Sequence, residues 1–503
     1  MSRNNRKPSM NITLISVSGR LACDGSRLIS SILKKAENQV KNIYLARREP
    51  DYEIPELEKL SEILKDTDLV MMAVYSNYFQ RAVRLTNLIH QKFPGLKIVW
   101  GGPHCIATPE LSLKYADVVC FSEGDEAIVQ LVDRLKAEKD YHDIPNMAFN
   151  VNSSYVINKV LPPFSDLDSL PYYDYGFDDQ FLLDGELVPL TMNKVKELTR
   201  QYPFYVPTLY FLTSRGCPHE CSYCNNCRYI SMFGKNLLRF YSVDRIIDEI
   251  KYTLNTLPFI EFIVFGDDDF LARPTKQLEA FATQYRQEIG LPFGAAASPR
   301  TYRTEKMEIL LDHGLTAFDL GIQSGSQKVI TEVYNRKISL TSTSKVIQEL
   351  TPYAEERDLT VIVDFIIDNP YETRDDIIQT YNYLLNLPPS FKPNLFFLSF
   401  YPGTPIFERA LKDDLIQESD AETFRSYTGS YLRYQKNYET ILVLLLRLTR
   451  LHPKLRKIPK GVFRLLGSTP VRKLMSFLPE SIYEKTAAAL QLKKAWAKER
   501  PKG

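Results

Sequence analysis

Short apolar runs alternate with amphipathic stretches twice along this chain, and that alternation limits the folds open to it. In the first series, residues 12–17, 42–46, 69–75, 98–100 and 118–121 read as strands. Residues 26–38, 54–65, 81–92 and 126–139 between and after them carry helical periodicity. Regular strand–helix alternation predicts a parallel, doubly wound sheet, with ligands at the carboxyl ends of its strands. A second series follows, with strands expected at 209–213, 262–265, 293–297, 317–320, 360–367 and 395–400. Six such units predict a partial barrel, its chemistry again at the strand ends.

The chain is therefore expected to be an α/β protein in four parts. These are a Rossmann-like domain at 1–140, a linker with short strands at 141–207, a partial (β/α) barrel at 208–430, and a helical basic region at 431–503. Apolar residues make up 44% of the 503 and charged residues 25%, which supports packed cores and excludes a disordered chain.

Seven cysteines are present, and four lie between Cys217 and Cys227. An odd count crowded into one loop is no disulfide framework and reads as metal chemistry in a reducing compartment. Cys217, Cys221 and Cys224 are spaced CxxxCxxC, directly after the first strand of the second series. Three thiolates on one tight loop can hold three irons of a four-iron cluster and leave the fourth iron open. A zinc knuckle is the alternative, with Cys227 as fourth ligand.

This loop resembles that of the radical S-adenosylmethionine (SAM) superfamily, and the resemblance extends over roughly 208–416. It implies that Cys217, Cys221 and Cys224 ligate a 4Fe-4S cluster whose open iron is chelated by SAM, with Tyr223 near the adenine. Cys227 falls outside the triplet. Phe265-Gly266-Asp267-Asp268-Asp269-Phe270 resembles the FxDDxF motif, which makes Asp267 and Asp268 partners for the SAM ammonium; an acidic helix cap is the plainer reading. Arg300, at the end of the next strand, suits a carboxylate or a surface ion pair. Leu320 to Ser326 is similar to the G(I/V)ESG strand end, with Gln323 in place of Glu and Ser324 beside it, and implies SAM contacts there. Asn335-Arg336 also fits. Asp368-Asn369-Pro370-Tyr371-Glu372-Thr373 departs from GLPGET by losing both glycines, whereas Tyr401-Pro402-Gly403-Thr404-Pro405 matches YPGTP.

The first domain resembles the cobalamin-binding domain that precedes many radical SAM domains. Gly101, Gly102, His104, Glu123 and Gly124 carry that resemblance, at strand ends where glycines let backbone approach a bulky ligand, and Ser76 with Gly101 and Gly102 is expected to line the cleft for its nucleotide tail. A Rossmann-like domain with another ligand is the alternative. The loop 20–26 has no histidine, so no cobalt ligand is expected from it; His104 is read as loop structure or cofactor packing.

The resemblance implies a cobalamin-dependent radical SAM enzyme, with C-methylation of an unactivated carbon as the leading reaction. Cyclisation or rearrangement of a lipid, tetrapyrrole or natural product is the alternative. A methylthiotransferase would need a second cysteine set, and Cys23, Cys105 and Cys120 lie on separate loops and strand ends. A metal-bearing interaction module recruited to membranes is the non-enzyme reading. An electron donor such as flavodoxin or ferredoxin, and a small-molecule or lipid substrate, are the implied partners; nucleic acid is not expected.

Net charge is only +2, yet residues 431–503 hold 17 Lys and Arg against 4 Asp and Glu. With Ile441-Leu442-Val443-Leu444-Leu445-Leu446 at its start, this region reads either as a helical cap with a solvated basic face or as an interfacial anchor on anionic lipid. The N-terminal residues have no signal-peptide core, and no apolar stretch reaches spanning length, so the expected location is cytoplasmic, with peripheral contact on the inner membrane face as an option.

Overall fold

The structure is a computed structural model that describes residues 9–18, 21, 24–45, 58–152, 154–201, 203–235, 237–421, 432–452 and 455–496. By packing, the chain divides into two units: 1–216, 225–263 and 401–425 form the first, and 217–224, 264–400 and 426–503 the second.

In the first unit, β1 (Asn11–Ser16), β2 (Gln39–Leu45), β3 (Leu69–Ala73), β4 (Lys97–Gly101) and β5 (Val118–Cys120) pair in parallel in the order β5-β4-β3-β1-β2. Their near-continuous burial follows from helices on both faces. Trp100, near the carboxyl end of β4, keeps its indole N–H satisfied by donating to Thr86 Oγ1 at 3.0 Å. The order reverses between β1 and β3, where ligands of such sheets bind. Residues 141–207, expected as a linker, also build this sheet. β6 (Met147–Val151) and β7 (Ser154–Ile157) extend one edge, and β8 (Gln180–Asp184) and β9 (Glu186–Pro189) the other. Of the predicted helix at 54–65, Ser61–Leu64 is helical and 54–57 lie outside the described residues. Of the loop at 20–26, Arg20, Ala22 and Cys23 lie outside them as well.

The second series comprises β10 (Arg200–Gln201), β11 (Val206–Phe211), the small antiparallel pair β12 (Ser214–Arg215) and β13 (Arg239–Phe240), then β14 (Phe262–Phe265), β15 (Phe293–Ala297), β16 (Leu315–Gln323), β17 (Thr360–Ile367) and β18 (Lys392–Phe397). Its main sheet runs β10-β11-β14-β15-β16-β17-β18, and the chain passes from the first unit into the second within β14. In the second unit the two faces of the sheet differ in kind. Ala295, Phe318, Leu320, Val361 and Val363 are buried, as a helix-covered face requires. The opposite face carries Ala296 in register with Asp319, and Gly321 in register with Asp364 and then Asn394, all half-buried.

The basic region corrects one expectation. Its apolar run is no lipid anchor: in the helix Tyr438–Leu451, Ile441, Leu442, Val443, Leu444 and Leu446 are buried in the second unit. Asn437 caps this helix, accepting from Thr440 N at 3.0 Å. The departure at 368–373 now has a reason. Asp368, at φ 59°, accepts backbone N–H groups from Arg433, Tyr434 and Gln435 at 2.7, 3.0 and 2.7 Å. Gln435 Nε2 donates in turn to Asn369 O and Glu372 O. A glycine there could not anchor the segment that leads into the buried helix. Among the described residues, no helix is long and apolar enough to cross a membrane.

Candidate functional site

The cysteine turn starts at a position only glycine can occupy. Gly216 has φ 90°, and a Cβ there would stand 2.5 Å from Leu237 O. Of the three thiols that follow, Cys217 and Cys221 are buried and Cys224 is half-buried, and none is in a disulfide. Backbone and side chains fix the turn from several directions. Cys224 N donates to Cys221 O at 3.0 Å, Ser222 N to Tyr334 O at 3.0 Å, and Ser222 Oγ to Val333 O at 2.6 Å. Asn335 Nδ2 donates to Glu220 O at 3.0 Å.

A carboxylate that sequence reasoning passed over holds the other side. Asp269 is buried, pairs with His219 Nε2 at 2.6 Å, and accepts from Thr301 Oγ1 at 2.7 Å and Ser298 N at 3.3 Å. It therefore ties the cysteine turn to the strand end after β15. Its neighbours differ: Asp267 is buried and Asp268 exposed.

Arg336 is the hub. Its guanidinium donates to Tyr223 Oη at 2.7 Å, Gly321 O at 2.8 Å and Ser298 Oγ at 3.4 Å. One planar fork thus joins the cysteine turn to the ends of β15 and β16. Burial pushes the Tyr223 phenol up, keeping it neutral beside this cation, and its ring meets Tyr334 edge-on at 5.1 Å. Gln323 closes β16 at φ 74°, a left-handed conformation unusual for glutamine, where the register with β17 shifts. Ser324 Oγ is fully buried against Thr380 Oγ1 at 3.2 Å and Glu372 Oε1 at 3.4 Å. Burial, reinforced by Asp376, raises the Glu372 carboxyl to about 8, so it is protonated at neutral pH. Arg300 is exposed.

Below this edge, Asp319 and Asp364 form a carboxyl pair that the sequence reading missed. Burial, then repulsion from Asp364, holds Asp319 well above the carboxylate range; burial raises Asp364 to about 6, and Asn394 Nδ2 donates to it at 3.0 Å. Only the register of β16 and β17 brings them together.

In the first unit the strand ends are arranged differently. His104 is buried with Nδ1 3.1 Å from Ser76 Oγ and Nε2 3.1 Å from Thr108 Oγ1, and Phe79 lies against its ring. Burial lowers it to about 4, so it is neutral and both nitrogens are engaged. Gly102, at φ 100°, packs on β3: a Cβ would approach Val74 O to 2.9 Å. Glu123 receives Arg239 Nη2 at 2.6 Å and Phe164 N at 2.7 Å, while the adjacent Asp125 takes a bidentate pair from Arg215 at 2.9 Å. A Cβ at Gly124 would meet Cys120 Sγ at 3.2 Å. Gly101 has ordinary room, and Ser122 Oγ is buried without a hydrogen-bond partner among the described residues.

Two family models match the chain: the B12 binding domain over residues 10–132, and the Radical SAM superfamily over 211–384. This is a radical SAM superfamily enzyme with a B12 binding domain ahead of its radical SAM domain. An uncharacterized methyltransferase of Pyrococcus horikoshii is 24% identical over 73% of this chain and 74% of its own. The cobalamin-dependent radical SAM methyltransferase TokK of Streptomyces tokunonensis is also 24% identical, over 69% of this chain but only 49% of its own, so this chain spans about half that relative's length. The solved structure of the cobalamin-dependent SAM radical enzyme OxsB, with aqua-cobalamin and SAM bound, superposes with TM-score 0.67 at 12% identity, covering 97% of this chain and 80% of that one. The likeness is one of fold.

The cofactors that belong to these two domains are a 4Fe-4S cluster, SAM and cobalamin, and the residues of this radical SAM enzyme suit them. Burial, then the charges of Asp268 and Cys224, raises the Cys217 thiol in the free protein; bound iron would reverse that balance by stabilising thiolates. Among the described residues, no three His, Cys, Asp or Glu side chains converge on a single ion. A cluster asks for no such convergence, since each thiolate takes its own iron. In the first unit the unpartnered Ser122 hydroxyl, at the ligand-binding edge of the sheet, is a donor that a bound nucleotide tail would satisfy.

Proposed function

We propose that this enzyme is a cobalamin-dependent C-methyltransferase acting on an unactivated carbon of a small molecule or lipid. When bound, the cluster and SAM supply a hydrogen-abstracting radical and cobalamin supplies the methyl group. Every other task falls to the chain. Cys217, Cys221 and Cys224 hold the cluster on a turn already fixed by Ser222, Glu220 and His219. Asp267, Asp268, Arg300, Gln323 and Ser324 hold SAM, with Tyr223 beside the adenine. Ser76, Gly101, Gly102, His104, Glu123 and Gly124 shape the cobalamin edge, mostly through backbone and through each other. An external one-electron donor, such as a flavodoxin or ferredoxin, completes the cycle.

The observation that carries this reading is the Arg336 fork, which binds the three-thiol turn to two strand ends at once. The relatives favour methylation, and Cys105 and Cys120 weigh against a second cluster: both are buried in the first unit, and burial pushes the Cys120 thiol up to about 12. The test is anaerobic reconstitution, followed by iron analysis, reductive SAM cleavage to 5′-deoxyadenosine, and the product mass shift with methyl-labelled SAM in a deletion-strain extract. Bound iron, cleavage and a labelled methyl group are expected. A single zinc without cleavage overturns the radical reading; cleavage with an unlabelled product overturns methylation alone.

A further inference from the structure

The basic region buries its most apolar helix yet exposes other large apolar side chains. Phe477 is 86% exposed, Leu474 70% and Leu465 65%, and Val462 and Ile482 are exposed beside them in the chain. They belong to the short helices Lys460–Leu466 and Thr469–Met475, the connection that follows, and the start of the helix Glu480–Trp496. These elements are not loosely attached. Phe463 is buried and its carbonyl accepts from Tyr381 Oη at 2.6 Å. Arg472 bonds Glu439 at 3.0 Å and Asp375 at 3.2 Å, and Tyr483 bonds Met475 O. Phe463 and Tyr483 are buried anchors of the outer two helices, and the half-buried Arg472 ties down the one between them, so the exposed apolar residues face solvent from a held platform.

Charge decides what could cover them. Residues 455–479 contain six Lys and Arg and no Asp or Glu. Of these, Lys457, Lys460, Arg464 and Lys473 are exposed. A second copy of the same face would bring like charges together. A nucleic acid would match the charge but would leave the exposed leucines and phenylalanine unused. An anionic bilayer matches both features: apolar side chains enter the headgroup–acyl boundary while lysines and arginines meet lipid phosphates.

We propose that this face is a peripheral membrane-binding surface selective for anionic lipid, with Leu465, Leu474 and Phe477 as its inserting residues. The inference rests on surface residues and is independent of the reaction proposed above. The test is co-sedimentation of the full-length chain with vesicles of phosphatidylglycerol and phosphatidylcholine, with phosphatidylcholine alone for comparison. The wild type is expected to bind the anionic vesicles preferentially and to be released by salt. Leu474→Glu combined with Phe477→Glu should lower the partition coefficient by about tenfold or more, with the melting temperature and SAM cleavage unchanged because neither residue is packed. Lys460→Glu with Lys473→Glu should remove the preference for anionic lipid. Equal partitioning of wild type and the Leu474/Phe477 variant, or equal binding to both vesicle types, overturns the proposal. So does a halving of the light-scattering mass in that variant, which would assign the face to a second copy, or tight binding of a duplex in place of vesicles.

Discussion

The strand-end loops of the two units solve the same problem in opposite ways. In the second unit polar side chains from distant segments meet at one cation: Tyr223, Ser298 and the Gly321 carbonyl all bond Arg336, and Asp269 pins His219 from the same edge. In the first unit the polar side chains pair off a few at a time, as Ser76, His104 and Thr108 do across the ends of β3 and β4, or bond arginines of the β12–β13 pair. What the described strand ends there leave for a ligand is backbone, the small Gly101 and the unpartnered Ser122 hydroxyl. A charged, compact ligand such as SAM calls for converging side chains, whereas a large ring system can be held by shape and backbone. A substitution in the second unit should therefore cost chemistry, and one in the first should cost stability.

The largest expected effect tests that contrast directly. Cys221→Ala should abolish reductive SAM cleavage and lower bound iron, while cobalamin binding, read from its visible absorbance, persists. Retained cleavage would remove Cys221 from the ligand set.

The pH dependence of stability should then run in opposite directions in the two units. Glu372 is held protonated, about 8 against an ordinary 4.5. Its contribution is full below 4.5 and is lost as pH rises through about 8, a change on the order of 5 kcal/mol. Glu372→Gln, which keeps a hydrogen-bonding group beside Ser324, should flatten the alkaline fall in urea midpoint; an unchanged slope would show that burial does not hold that proton. His104 is the smaller, mirror-image case, held neutral at about 4 against 6.5. Its contribution is full above 6.5 and is lost as pH falls through about 4, roughly 3 kcal/mol. His104→Gln should flatten the acid limb and leave the alkaline limb intact. Equal acid sensitivity in wild type and variant would break the comparison on the first unit's side.

How much of this was legible in the sequence depends on how local the signal is. Both β-α series could be read because apolar periodicity is local, and the cysteine turn because its three ligands lie within eight residues. The edge strands β6 to β9 read only as short strands of a linker, because four- to five-residue strands between turn residues carry little periodicity to show that they join the main sheet. Asp269 was passed over as the third member of an Asp run, and His219 within the cysteine loop was the signal that could have found it. Asp319 and Asp364 had no sequence signal at all, since only strand register makes them neighbours. The run at 441–446 misled because continuous hydrophobicity marks a buried helix as readily as a lipid-facing one.

The smallest predictions set one glycine of each unit against the other. Gly403, in the YPGTP turn of the first unit, has φ 76°, and a Cβ there would stand 2.9 Å from Ala107 O and 3.4 Å from Ala107 Cα. Alanine must both enter the left-handed region and push backbone aside, because Ala107 ends the helix Pro103–Ala107 and cannot yield as a flexible side chain could. Gly403→Ala should cost about 2 kcal/mol. Gly461 lies in the helix Lys460–Leu466 of the second unit, and a Cβ there meets nothing within 4 Å. Gly461→Ala should instead stabilise by about 0.5–1 kcal/mol, because it lowers the entropy of the unfolded chain without strain in the fold. Urea midpoints of the two variants should therefore move in opposite directions. If Gly403→Ala were neutral, the tight seat of that turn on Ala107 would be refuted, and the reason for the motif would lie in Thr404, whose Oγ1 donates to Tyr401 O at 2.7 Å and accepts from Phe407 N at 3.3 Å.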